Sequence, residues 1–140
     1  MSHVRAQIRT AVSAVLDDIT TVYASRVYPL EADELPVILV YTNAEQIESQ
    51  AFNTLDRVLE LVVEIVAKSG DALDDELDDL LARCETAIAA NPDLDGLAVE
   101  AIPVTIDVSV STEGAQPVGR ARLTYSVLYR TSSTDPQNVI

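Results

Sequence analysis

Leu35-Pro36-Val37-Ile38-Leu39-Val40-Tyr41 is the most apolar run in the chain, and it decides the fold. Branched residues with no polar interruption read as a strand covered on both faces. Pro36 opens the run, where a strand can spare a donor, and it biases Leu35 toward an extended backbone. The run is therefore expected to be an inner strand of a sheet with helices nearby.

Upstream of it, Val4, Ile8, Ala11, Val12, Val15, Leu16 and Ile19 recur at helical spacing, and Ser2 can cap that helix. Arg5 and Arg9 lie off the stripe, one turn apart, near the helix end where the dipole disfavours cations. They are either tolerated surface charges or contacts to an acidic partner. Residues 22–28 have the composition of a short strand ending at Pro29, and Glu31, Asp33 and Glu34 form an acidic connection.

Downstream, residues 43–56 show no periodicity and no glycine or proline. They read as a long polar loop, of the kind that more often serves function than accident. Phe52, the sole phenylalanine, sits among Glu45, Gln46, Glu48 and Gln50, and either tucks into the core or stands exposed. Residues 57–67 form a long strand. Leu59, Leu61, Val63 and Ile65 line one face, and Glu60 and Glu64 interrupt the other, which should meet water or a partner.

A second helix begins near Ser69, Gly70 and Asp71, with Leu73, Leu77, Leu80, Leu81, Cys84 and Ile88 as its buried stripe, and Asn91-Pro92 stops it. Asp95-Gly96 makes a turn. Residues 97–111 then alternate, with Pro103 pointing to an edge strand or bulge. A turn over 112–119 leads to a last strand over 120–130, antiparallel to the one before, with one wet face. Residues 132–140 read as a frayed tail.

The expected class is α+β, with two amphipathic helices on one face of a small mixed or antiparallel sheet, in the order α-β-β-β-α-β-β. One domain over 1–131, followed by the tail at 132–140, accounts for the 140 residues.

A net charge of −14 disfavours tight binding to a phosphate backbone or an anionic membrane surface. No apolar run approaches a bilayer span and no signal-peptide pattern opens the chain. The single cysteine, Cys84, excludes an intrachain disulfide. A soluble, intracellular domain is expected.

Chemistry finds little material. His3 is the only histidine and nothing in the sequence orients it, so a triad or a multi-histidine zinc site cannot be built. The four glycines fall at turns, with no phosphate loop. Asp74, Asp75, Glu76, Asp78 and Asp79 pair one helical turn apart, but a straight helix offers a hard cation few of the six or more oxygens it takes. A solvated face near a helix N-terminus explains them. No catalytic, metal or cofactor site is expected, and the chain reads as a non-enzyme.

Several segments in order add more. They are Arg26-Val27-Tyr28, the acidic residues before Leu35-Pro36-Val37-Ile38-Leu39-Val40-Tyr41, and Leu61-Val62-Val63-Glu64-Ile65. The Leu73–Leu77–Leu81 helix and Ala121-Arg122-Leu123-Thr124-Tyr125-Ser126-Val127-Leu128-Tyr129 complete the series. The series resembles the tail terminator family of long-tailed bacteriophages, the minor tail protein U type, over nearly the whole chain. No single motif is diagnostic; order and spacing carry the likeness.

The resemblance implies a structural protein of the virion tail, assembled in the host cytoplasm. It implies a six-copy ring that caps the head-proximal end of the tail tube, stops tube polymerisation and receives the head. The implied partners are further copies, the tail tube protein and a head–tail connector or neck protein, with DNA sliding past without specific binding. Acidity suits such a channel. Arg5, Arg9, Glu45, Glu48, Phe52, Arg57, Arg120 and Arg122 are then the expected interface residues, the arginines complementing a neighbour's acids. The alternatives are another neck or tail-completion protein of the same fold, or an unrelated acidic metal-binding or regulatory domain.

Overall fold

The computed structural model describes residues 2–26, 34–68, 70–111 and 118–140. Its elements run α1 (Val4–Leu16), β1 (Thr21–Tyr23), β2 (Val37–Ala51), β3 (Thr54–Lys68), α2 (Leu73–Ala89), β4 (Glu100–Ser111), β5 (Val118–Ser132) and β6 (Asp135–Val139). The expected α+β order holds, with one further strand at the end. Asp135–Val139 pairs with β5, so most of what sequence reads as a frayed tail is strand. A polar sequence suffices there because β6 is exposed along most of its length and needs no apolar face.

The sheet order is β1-β2-β3-β5-β4, with β6 beside the end of β5. β1 and β2 are parallel and every other pair is antiparallel. β2 lies inside the sheet over the opening apolar run, and Val37, Ile38, Leu39 and Val40 are all buried. Ile38 and Val40 face the helices, whereas Val37 and Leu39 join Val66 in a small second cluster. The run is continuous because both faces are covered there.

Both helices pack on one face. The stripe of α1 (Val4, Ile8, Ala11, Val12, Leu16) and that of α2 (Leu73, Leu77, Leu80, Leu81, Cys84, Ile88) share one core. Leu59, Leu61, Val63 and Ile65 of β3 and Leu123, Tyr125, Val127 and Tyr129 of β5 complete it. Each large side chain buried this way contributes about 1.5–3 kcal/mol. Leu77→Ala, at the centre of the α2 stripe, would cost about 2–5 kcal/mol.

The helix ends depart from expectation. His3, not Ser2, caps α1, its Nδ1 accepting from the Arg5 N–H at 3.1 Å. α2 starts at Leu73, later than sequence suggests, with Ala72 at its cap position and no side-chain cap bond. Ser69 lies outside the described residues. So do residues 27–33, which hold Tyr28, Pro29, Glu31 and Asp33, and residues 112–117 of the expected turn. The strand expected over 22–28 is described over Thr21–Tyr23. Asn91 stops α2 as expected, its Nδ2 bonding the Ala87 carbonyl.

The largest correction concerns residues 43–56. They form no loop: β2 runs on to Ala51 and β3 starts at Thr54, leaving Phe52-Asn53 as a two-residue turn. Asn53 takes φ +60°, supplying the left-handed turn residue that glycine usually provides. This limb is exposed on both faces over 46–53, so no apolar alternation marks it.

Candidate assembly interface

The sheet face away from the helices carries a polar network centred on Glu64 of β3. Cross-strand register sets Glu64 opposite Arg122 of β5, with Arg120 one pleat away on the same face. Arg120 Nη1 donates to Glu64 Oε2 at 2.7 Å and Arg122 Nε to Glu64 Oε1 at 2.8 Å. The Tyr41 hydroxyl donates to Oε1 at 2.8 Å. Burial alone would raise the Glu64 pKa, but the hydrogen bonds from Arg122, Tyr41 and Arg120 outweigh it and hold the carboxyl below its ordinary range. Burial, then the bond to Glu64, pushes the Tyr41 phenol up. Farther along the same face, Arg130 Nε donates to Asp56 Oδ1 at 2.6 Å.

A second network lies on the helix side, at the outer end of the core. Arg57 Nη1 donates to Glu45 Oε2 at 3.0 Å and Arg57 Nε to Thr131 Oγ1 at 3.0 Å. The Tyr129 hydroxyl donates to Glu45 Oε1. Burial comes first in raising the Tyr129 phenol, with the Glu45 bond adding to it. Among the described residues, no buried side-chain nitrogen or oxygen lacks a partner.

These contacts account for most of the basic side chains. Arg9 Nη1 donates to Thr42 Oγ1 at 3.1 Å. Arg26 donates to the Thr42 carbonyl and to Asn43 Oδ1, and its guanidinium lies 5.0 Å from the Tyr41 ring centroid. Of the nine lysines and arginines, six (Arg9, Arg26, Arg57, Arg120, Arg122 and Arg130) bond within the chain.

The candidate residues therefore separate. Arg57 and Glu45 are buried against each other, and Arg120 and Arg122 converge on Glu64. Arg5 is half-buried on α1. Glu48 and Phe52 stand out on the β2–β3 limb, and Phe52 is 100% exposed.

The apolar alternation of β4 suggests one dry face, but the structure leaves both faces exposed. The strand's outer edge pairs with no strand among the described residues, and residues 102–110 are exposed. A bulge between Pro103 and Thr105 shifts the register. Ile106, Val108 and Val110 then share a side with Leu123, Ala121 and Gly119, facing the helix layer that stops short of them. Ile102 falls on the opposite side. Between α2 and β4 runs a groove in two parts of about 320 and 180 Å³, lined by Glu85, Ile88, Ala101, Pro103 and Ile106 among others. The alternation of 102–110 was legible; that the second face also stays uncovered was not.

Asp74, Asp75, Glu76, Asp78 and Asp79 of α2 are exposed, three of them in its first turn where the dipole favours them. No cluster of three or more potential metal-ligating side chains occurs among the described residues. Burial raises the Cys84 thiol to about 11, which leaves it a small core residue and not a thiolate. No helix among the described residues is long and apolar enough to cross a membrane.

The sequence model of the phage minor tail protein U family matches residues 1–129. The chain therefore belongs to that family of phage tail proteins. A chain from a solved structure described as the virion of a native gene transfer agent particle is similar at 17% identity and a TM-score of 0.42, over 92% of each chain. No curated protein matches.

Proposed function

We propose that this member of the phage minor tail protein U family is a tail terminator. Copies form a ring, expected to hold six, on the head-proximal end of the tail tube. The ring ends tube polymerisation and presents the surface that the head joins. The family match over 1–129 carries this reading.

Physical features support it. The described side chains assemble two polar networks that satisfy themselves, as a structural subunit requires. The role is structural, with no catalytic step and no cofactor. The net charge of −14 would let DNA pass a ring without adhering. The partners on this reading are further copies, the tube protein and a neck protein, and the place of action is the virion.

Loss of the gene tests it. Electron micrographs should show tubes grown past their normal length and heads left unjoined. Tails of normal length that fail only to join heads would instead assign the chain to a neck or tail-completion layer.

A further inference from the structure

We propose that the Phe52 tip of one copy seats on the apolar helix-side face of β4 in the next, against Ile106 and Val108, where α2 leaves the strand uncovered. This contact rests on the ring reading and names the surfaces that close it.

The occupant is argued from where exposed apolar side chains lie. Phe52 has no cover at all, although an aromatic ring gains more from burial than most side chains. Ile47, 53% exposed, stands on the same limb. Most of the other exposed large apolar residues fall on or beside β4: Val99, Ile102, Val104, Ile106, Val108 and Val110. A soluble surface rarely gathers apolar residues in this way without a partner.

The two places cannot meet within one chain. Thr54, next to the tip, is level with Ser132 of β5, whereas Ile106 is level with Leu123 and Ser111 with Val118. At roughly 3.3 Å per residue, the tip lies about 30 Å along the strands from Ile106 and farther still from Val110. A knob and an apolar strand face at separate places on one molecule make a head-to-tail contact, and such contacts generate rings when the rotation closes.

Charge points the same way. Copies carrying −14 repel each other, and six of the nine basic side chains are already bonded internally. Pairing of opposite charges is therefore a poor basis for the contact, and apolar burial the better one. Added salt should strengthen association by screening the repulsion, whereas it would weaken a contact built on ion pairs.

The test uses the full chain, alone and with its tube protein, in sedimentation at low and high salt. Assembly should rise with salt. Phe52→Ala and Val108→Asp should each weaken it by roughly 30-fold or more, as for a central anchor, and Phe52→Leu should recover part of the loss. Both sites are exposed, so unchanged melting curves will show that the subunit itself is intact. Phe52→Cys combined with Val108→Cys should give a ladder of covalent oligomers with a short thiol cross-linker, while neither single variant should.

Rings that form equally well from Phe52→Ala and Val108→Asp would overturn the contact and leave the ring reading standing. Cross-linking of the Phe52→Cys or Val108→Cys variant alone would overturn it too, since like surfaces would then be meeting. A wild-type chain that stays monomeric under every condition, in a phage whose tails end normally without it, would sink the ring reading and the contact together.

Discussion

Arg57 and Glu45 bond diagonally across adjacent strands at 3.0 Å, with side chains only 9% and 5% exposed. Thr131 and Tyr129 take up further bonding capacity of the pair. Removing one partner leaves the other charged and out of water, which costs about 3–5 kcal/mol. Arg57→Met should therefore lower the unfolding free energy by that order in a urea titration. Adding Glu45→Gln removes the stranded charge while leaving Tyr129 an acceptor. The double variant should recover about 1 kcal/mol or more, read as coupling in a double-mutant cycle. A double variant no more stable than Arg57→Met alone would show that the pair is not coupled.

Glu64 sets the response to acid. Its pKa is lowered in the fold, so its contribution is fully present above the unfolded value, near 4.5, and is lost as pH falls through the folded value. Wild-type stability should drop through this window, and Glu64→Gln should flatten the drop. The same network changes how charge reversal must be read. Arg120→Glu or Arg122→Glu strips donors from a buried carboxylate and should destabilise the isolated subunit by roughly 2–3 kcal/mol. A defect in tail capping by such a variant reports on an interface only if its melting temperature matches wild type.

That ambiguity marks what sequence could and could not say. Helical spacing gave both buried stripes, and alternation gave the faces of β5, because each element has one dry side. The β2–β3 limb has none over 46–53, and its turn uses Asn53, so neither alternation nor glycine announced it. Likewise Asp95-Gly96 advertised a turn, but the left-handed backbone begins one residue earlier, at the buried Leu94. The candidate site suffered most. Arginines look available in one dimension; only the register that sets Glu64 opposite Arg122 shows them in use.

His3 gives a second pH response. Its Nδ1 accepts the Arg5 N–H only when unprotonated, and burial lowers its pKa against the opposing pull of Glu45. A lowered folded pKa means that the unfolded chain takes up the proton first. Stability is then full above about 6.5 and declines as pH falls through the folded value. Protonation also places a cation at the positive end of α1. His3→Asn should keep the cap and remove this dependence, while His3→Ala should cost about 0.5–1 kcal/mol at neutral pH. Thermal melts from pH 8 to 5 distinguish the three: parallel curves for wild type and His3→Asn would refute the His3 pH response, and an unchanged melt for His3→Ala at neutral pH would refute the cap.

Asn53 decides where Phe52 points. Its φ of +60° lies in a region that costs most L-residues about 1–2 kcal/mol. Its side chain and carbonyl also accept from Ser133, tying the tip to the turn before β6. Asn53→Gly keeps the backbone and loses only the side-chain bond; Asn53→Val loses both. Hydrogen exchange should show the cross-strand amides of 43–56 protected in the isolated wild-type subunit, because this limb is paired strand. Protection should persist in Asn53→Gly and fall toward the tip in Asn53→Val. If Phe52 anchors a neighbouring copy, Asn53→Val should also weaken assembly although Phe52 is untouched, because the ring is no longer presented in one place. Equal assembly by the two variants, with exchange differing as expected, would mean that a rigid tip is not what the neighbour recognises.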